Sequence, residues 1–369
     1  MDIDMHYYGT YALARAAGLA ADVAQRIATA AEFVDDSTDT EVLVNPEGAR
    51  FRGESTAHHP TDFVPNNDAD DQIQVWLPFH FLPGAQGANQ SQKLVCQKDS
   101  DIAKEMVAHH LNLCDAPYAV EMIGITAHVY ADTFAHYGFS GVSSRVNRVT
   151  RGSIDLVNGD PIAPYVDRFF GKFGTQGGLL RNFRNSIATV VGNVAEDTTG
   201  ALGHGSVATF PDQPYLEWSY QYELPNLQSG PHDVHRQNAN DYMEAAEALY
   251  GMFRAFGDRR KELADQKGPM DFDKIQPAVR QIITLAADRD ARIAAWLAAL
   301  EEGKLSRDSD NALAKYDHQP WRNQTNMLAG LPQPQDASGI PVYHFHQAAA
   351  LHKHYVLREL LPKNGIYVI

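Results

Sequence analysis

His128, Asp132 and His136 follow one another at steps of four residues inside an otherwise apolar run. Four residues turn an α-helix through about 400°, so the three side chains share one stripe. Ile125, Val129, Ala131 and Phe134 lie among them and suit a buried helix. Burying unpaired polar or charged groups costs several kcal/mol unless something satisfies them. The chain must therefore fold so that this stripe meets compensating groups, and a metal cluster would satisfy all three members.

Composition agrees with a large soluble core. The chain has 369 residues, 44 % hydrophobic and 21 % charged, enough for one large domain or two ordinary ones. Cys96 and Cys114 are its two cysteines. That excludes a disulfide scaffold and a thiolate zinc site, and both are read as buried thiols. The formal charge of −15 excludes a broadly basic surface, so no stable nucleic-acid partner is expected. A metal site would be a local positive spot, compatible with a small anionic substrate. The first residues carry no basic segment followed by an apolar one, and no apolar run spans a bilayer, so the expected location is cytoplasmic.

The spacing predicts helices on both sides of Gly18 over residues 5–36, a helix opened by Ser100 and a central helix over 117–137. Further helices are expected over 241–262, 272–286, 288–302, 306–316 and 344–361. Residues 38–75 read as a long polar excursion, with β content confined to short ribbons in 38–82 and in 205–224. The fold class expected is mainly α, a multi-helix bundle around a buried metal cluster with short β-ribbons in inserted loops. Residues 1–235 are read as the metal-binding core with its loops. Residues 236–369 are read as C-terminal helices packed on that core, with a single domain as the alternative.

Imidazole and carboxylate donors without cysteine suit zinc, manganese or iron. The candidates are His6, Asp35, Asp36, His58, His59, His80, His128, Asp132, His136, His204 and Asp212. A carboxylate such as Asp132 can bridge two ions. Other features are read structurally. His109 and His110 fall on different faces of one helix. The group His344, His346, His352 and His354 has a solvated or packing role. The His232–Asp233 dipeptide follows a Ser-Gly-Pro loop. The glycines at 174–178 and 203–205 lack the spacing and lysine of a phosphate loop, and Arg181 and Arg184 read as a solvated helix face.

The order of these residues resembles the zinc-dependent phospholipase C and S1/P1 nuclease superfamily, all-α proteins with a trinuclear zinc site. The resemblance implies two or three zinc ions. His6 matches the first histidine of that order and Asp36, or Asp35, the first aspartate. His58, His59 or His80 matches the second histidine, His128 and Asp132 the helix pair, and His136 the next histidine. His204 matches the late histidine and Asp212 the final acid, with Glu217 the weaker match. The chain departs in two places. It lacks the superfamily's N-terminal Trp, whose role Asp2 or Asp4 would take, and its Asp132-to-His136 spacing is shorter. Four blocks are also similar to an uncharacterised family of microbial proteins: His6 to Thr10, Phe79 to Gly84, Ala131 to Gly141, and Gly203 to Ser206 with Pro211 to Pro214.

The function expected from the resemblance is metal-assisted hydrolysis of a phosphate ester, with Asp35 or Asp36 as proton acceptor and Tyr7, Tyr8, Tyr130 and Tyr137 near the pocket. Two rivals remain: a di-iron oxidase or oxygenase, and a non-catalytic metal-stabilised binding module.

Overall fold

In the computed structural model the described residues are 1–38, 42–44, 48, 50–58, 68–150, 152–158, 202–224, 233–307, 313–328, 331 and 334–368. A π-helical turn, Asp4–Gly9, runs into α1 (Thr10–Ala16). Gly18 (φ +92°) breaks the helix, and α2 follows (Ala21–Asp36). After β1 (Val42–Val44), β2 (Arg50–Arg52) and several short helical turns come α3 (Asp101–Leu111) and α4 (Ala119–His136). Ser100 caps α3 by accepting from the Ala103 amide, as its position before the apolar run predicts. The second half carries β3 (Asp155–Asn158), β4 (Glu217–Gln221) and β5 (Asp233–Gln237). Then follow α5 (Asn238–Arg259), α6 (Phe272–Ile283), α7 (Arg289–Glu301), α8 (Gln319–Leu328) and α9 (Pro341–Tyr355).

The protein is mainly helical. Every residue of α4 is buried, and the helix packs on α2, α5, α9 and α3. Its approach to α2 is set by small residues. A Cβ added at Gly124 would lie 2.5 Å from both the Ala30 methyl and the Ile27 carbonyl. No other residue type allows the two backbones so close. The main apolar core draws on α1, α2, α4, α5, α7 and α9, and so on both halves of the chain.

A second apolar cluster lies under the antiparallel sheet β3-β4-β5. β4 alternates with period two: Trp218 and Tyr220 are buried, while Glu217, Ser219 and Gln221 face outward. Arg236 on β5 donates to the Ala135 carbonyl at the end of α4, where a cation suits the helix dipole. β5 begins at Asp233, so that aspartate belongs to a strand rather than a loop; His232 lies outside the described residues.

The helix expected over 306–316 is a correction. Ser306, Arg307 and residues 313–316 are not helical. The Tyr7 hydroxyl donates to the Ala314 carbonyl, and the Tyr316 amide donates to the Tyr8 hydroxyl. Those tertiary bonds take the backbone groups a helix would pair internally. Among the described residues, no helix is long and apolar enough to cross a membrane. Cys96 is buried as expected, but Cys114 is only half-buried.

Candidate metal centre

Four imidazoles are oriented by the same device. In each, one ring nitrogen faces a backbone carbonyl, which can only accept, so that nitrogen carries the proton. His128 Nδ1 donates to the Ala31 carbonyl at 2.8 Å, across the close α2–α4 contact. His80 Nε2 donates to Thr56 O at 2.8 Å. His136 Nδ1 donates to His80 O at 2.9 Å, and His204 Nδ1 to Ala208 O at 2.6 Å. The other nitrogen of each ring is turned inward.

The chain outside α4 is stitched into place for this purpose. Thr56 returns from the polar excursion and bonds the end of α2: its amide donates to Ser37 O and its hydroxyl to Val34 O. That sets the carbonyl which orients His80. Beyond α4, the Cys96 amide donates to Phe139 O and the Gly138 amide to Cys96 O. Gly203, at φ +53°, lets the His204 loop lie on Phe81, whose ring atom would sit 2.4 Å from a Cβ there.

The inward nitrogens face other acceptors. His128 Nε2 lies 3.3 Å from His80 Nδ1 and 3.3 Å from Asp132 Oδ2. His80 Nδ1 is 3.5 Å from Asp132 Oδ2 and 3.7 Å from Asp35 Oδ1. His136 Nε2 is 3.0 Å from Asp212 Oδ1, and His204 Nε2 is 3.6 Å from Asp212 Oδ2. His6 stacks on His128 with ring centroids 3.9 Å apart, and its Nε2 is 3.2 Å from Asp132 Oδ1. Neither ring nitrogen of His6, nor Asp132 Oδ2, makes a hydrogen bond although all three are buried. Three triads have the separations of a ligand set: His6–Asp35–His128 and His80–His128–Asp132, which share His128, and His136–His204–Asp212.

The Met1 amino group lies between the two carboxylates, 2.5 Å from Asp132 Oδ1 and 3.4 Å from Asp212 Oδ1. Burial lowers its proton affinity, but Asp132, Asp212 and Asp35 outweigh burial and hold it up at about 11. Burial would raise the Asp132 carboxyl, yet His136, the amino group, His128 and His6 hold it well below the usual range. Asp212 is held below its ordinary value in the same way, against burial, by His204, the amino group and His136. Burial drives His6 far down, with His128 adding to it, and drives His204 down to about 4. His80 goes up: burial opposes its charging, but Asp132 and Asp35 prevail.

The structure brings together His6, Asp35, His80, His128, Asp132, His136, His204 and Asp212. It does not bring in the others. Buried His58 faces Asp71 at 3.5 Å. Asp36 accepts from the Tyr316 hydroxyl at 2.6 Å, because the next position on the helix turns it away from the histidines. Asp2 and Asp4 both pair with Arg292 instead of joining the cluster, and Glu217 faces His235 at 3.2 Å. His59, Arg181, Arg184 and the glycines at 174–178 lie outside the described residues. Of the four tyrosines, Tyr8 lines the cavity next to the cluster. Tyr7 bonds Ala314, Tyr130 bonds Asp99 and Tyr137 bonds Asp241. Reading the sequence missed Glu32, also on the cavity wall. The sequence offered only a weak signal: Glu32 continues the Ala24–Ala28 stripe of α2 at a step of four residues.

A family model matches residues 1–360 and is described as a family of unknown function, DUF6765. The chain belongs to that family. All eight converging side chains fall inside the matched residues. No curated protein and no solved structure matches the chain.

Proposed function

We propose that this member of DUF6765 is a metal-dependent hydrolase of phosphate esters. The ions are held by His6, Asp35, His80, His128, Asp132, His136, His204 and Asp212. One observation carries the metal reading: buried imidazole lone pairs face each other and face carboxylates at 3.0–3.6 Å. Acceptors in such contact repel unless positive charge lies between them; the Met1 ammonium supplies it beside Asp132 Oδ1, Asp212 Oδ1 and His136 Nε2, so the contact of His128 Nε2 with His80 Nδ1 and Asp132 Oδ2 carries the reading furthest. The carbonyl bond on the far nitrogen of His80, His128, His136 and His204 is the outer-shell support that ligating histidines use. Five imidazoles with three carboxylates and no thiolate favour two or three divalent ions, zinc first, with iron or manganese as alternatives. The phosphate-ester part rests on the sequence resemblance and on the cavity beside Asp35.

Ions in such a site act as Lewis acids on a phosphoryl oxygen and lower the pKa of water to about 7. The chain supplies the rest. Asp35 borders both the cluster and the cavity, so it is placed to take a proton. Asp36 is already engaged by Tyr316, which makes Asp35 the better acceptor. Arg289 and Lys315 on the cavity wall offer attraction to an anionic substrate.

The test is elemental analysis of protein purified without added metal, with a screen of phosphomonoesters, phosphodiesters and phospholipids. Zinc with turnover of a phosphate ester is the expected result. Iron with a visible absorption band would make the protein an oxidase or oxygenase. Tightly held metal without turnover would make it a binding module. His128→Ala and Asp132→Ala should each strip the metal, and full metal content in both variants would refute the assignment.

A further inference from the structure

The cavity beside the cluster has a volume of about 330 Å³ and is bordered by Met1, Tyr8, Glu32, Asp35, Asp36 and Tyr316 among others. Its carboxylates are not equivalent. Asp36 accepts from Tyr316, and Asp2 accepts from the Ile3 amide and from Arg292. Asp35 faces the histidines. Glu32 is only 7 % exposed, and its Oε2 has no hydrogen-bond partner. Burial, with Asp35, Asp36 and Asp2 around it, pushes its carboxyl above the ordinary range. A buried polar atom left unmatched costs about 1–3 kcal/mol. Nothing in the described part of the chain recovers that cost, so a group from outside the chain is the natural partner.

We infer that this cavity seats the alcohol part of the substrate and that Glu32 hydrogen-bonds a hydroxyl or ammonium group on it. The substrates are then small, water-soluble phosphate esters of hydroxyl- or amine-bearing alcohols. Phospholipids and polynucleotides fit poorly. The cavity lies at the lower end of small-ligand sites, and a wall of carboxylates does not accommodate acyl chains. Arg289 and Lys315 can hold one phosphoryl group, but the five carboxylates on the wall and the net charge of −15 repel a polyphosphate backbone. The inference rests on the phosphate-ester reading, and its test is built to fail separately.

The experiment measures binding of three phosphonates, which cannot be hydrolysed, to the zinc-loaded full chain by calorimetry. The probes are 3,4-dihydroxybutylphosphonate, 3-aminopropylphosphonate and butylphosphonate. A site built to hydrogen-bond its ligand rejects an analogue lacking the group strongly. At least one of the first two should therefore bind about tenfold or more tightly than butylphosphonate, and which one separates hydroxyl from ammonium. In Glu32→Leu the gap should close to about twofold, and Glu32→Gln, which keeps a donor and an acceptor, should fall between. Leu in place of an unpartnered buried carboxyl should not impair folding, and zinc content checks that the cluster is intact. Equal binding of all three probes, no binding, or a gap that survives in Glu32→Leu overturns the inference. Selective binding without turnover of the matching phosphates would sink the hydrolase reading and leave the cavity assignment standing.

Discussion

Four of the five imidazoles at the centre have one ring nitrogen fixed by a carbonyl from a different part of the chain: Ala31, Thr56, His80 and Ala208. The choice of ligand therefore depends on where those carbonyls sit. His80→Ala should lower zinc affinity by about tenfold or more, whereas His58→Ala should leave it within about twofold, both read by competition with a chromogenic chelator. Equal losses in the two variants would put His58 back among the ligands. The stripe of His128, Asp132 and His136 was legible because helical period alone puts the three side chains on one side. The choice between His58, His59 and His80 was not. Nothing local in the sequence reveals that Thr56 returns to the end of α2 and aims its carbonyl at His80. Glu32 was hidden for another reason. An acid in an alanine-rich helix reads as a solvated residue until the neighbouring segment near Tyr316 covers it.

At the level of elements, the site depends on how closely α2 and α4 cross. Gly124→Ala would force its new methyl against the Ala30 methyl and the Ile27 carbonyl. The expected loss is about 1–3 kcal/mol in urea unfolding, with weaker zinc binding because the Ala31 carbonyl moves away from His128. Unchanged stability and unchanged zinc affinity would show that the crossing is not what orients His128. The same principle explains the misread segment before Tyr316. Its residues favour a helix, but the hydroxyls of Tyr7 and Tyr8 hold the backbone groups of Ala314 and Tyr316. Local propensity is a weak preference that such tertiary bonds override. The helices at 100–111 and 288–301 were legible because Ser100 and Asp288 make local caps.

For the molecule as a whole, pH should act through buried histidines outside the cluster as well as through the ligands. Burial lowers His346 and His352 to about 4. His352 donates to Pro78 O, and His346 accepts from the Glu54 amide. The unfolded chain binds their protons near pH 6.5, while the folded chain resists until about pH 4. Between those values the unfolded state holds more protons, so stability rises with pH. Their contribution is complete above about pH 6.5 and is lost as pH falls toward 4, at roughly 3 kcal/mol for each residue fully titrated. Urea unfolding at several pH values should show that decline, and His352→Gln should flatten it. A profile independent of pH over this window would mean that these rings are not held neutral. The mainly helical architecture was legible from apolar periodicity over long segments. The sheet β3-β4-β5 was only partly so, because β3 comes from a distant stretch of chain and joins β4 through register alone.

The central question is whether cations lie where the inward ring nitrogens point. Anomalous diffraction from crystals of the purified protein, recorded on both sides of the zinc absorption edge, answers that directly. Peaks are expected at two or more positions, one among His80, His128 and Asp132 and one among His136, His204 and Asp212, and none beside His58. A well-ordered map of zinc-supplied protein with no anomalous peak at either position, and with these rings bonded only to protein groups, would contradict that expectation.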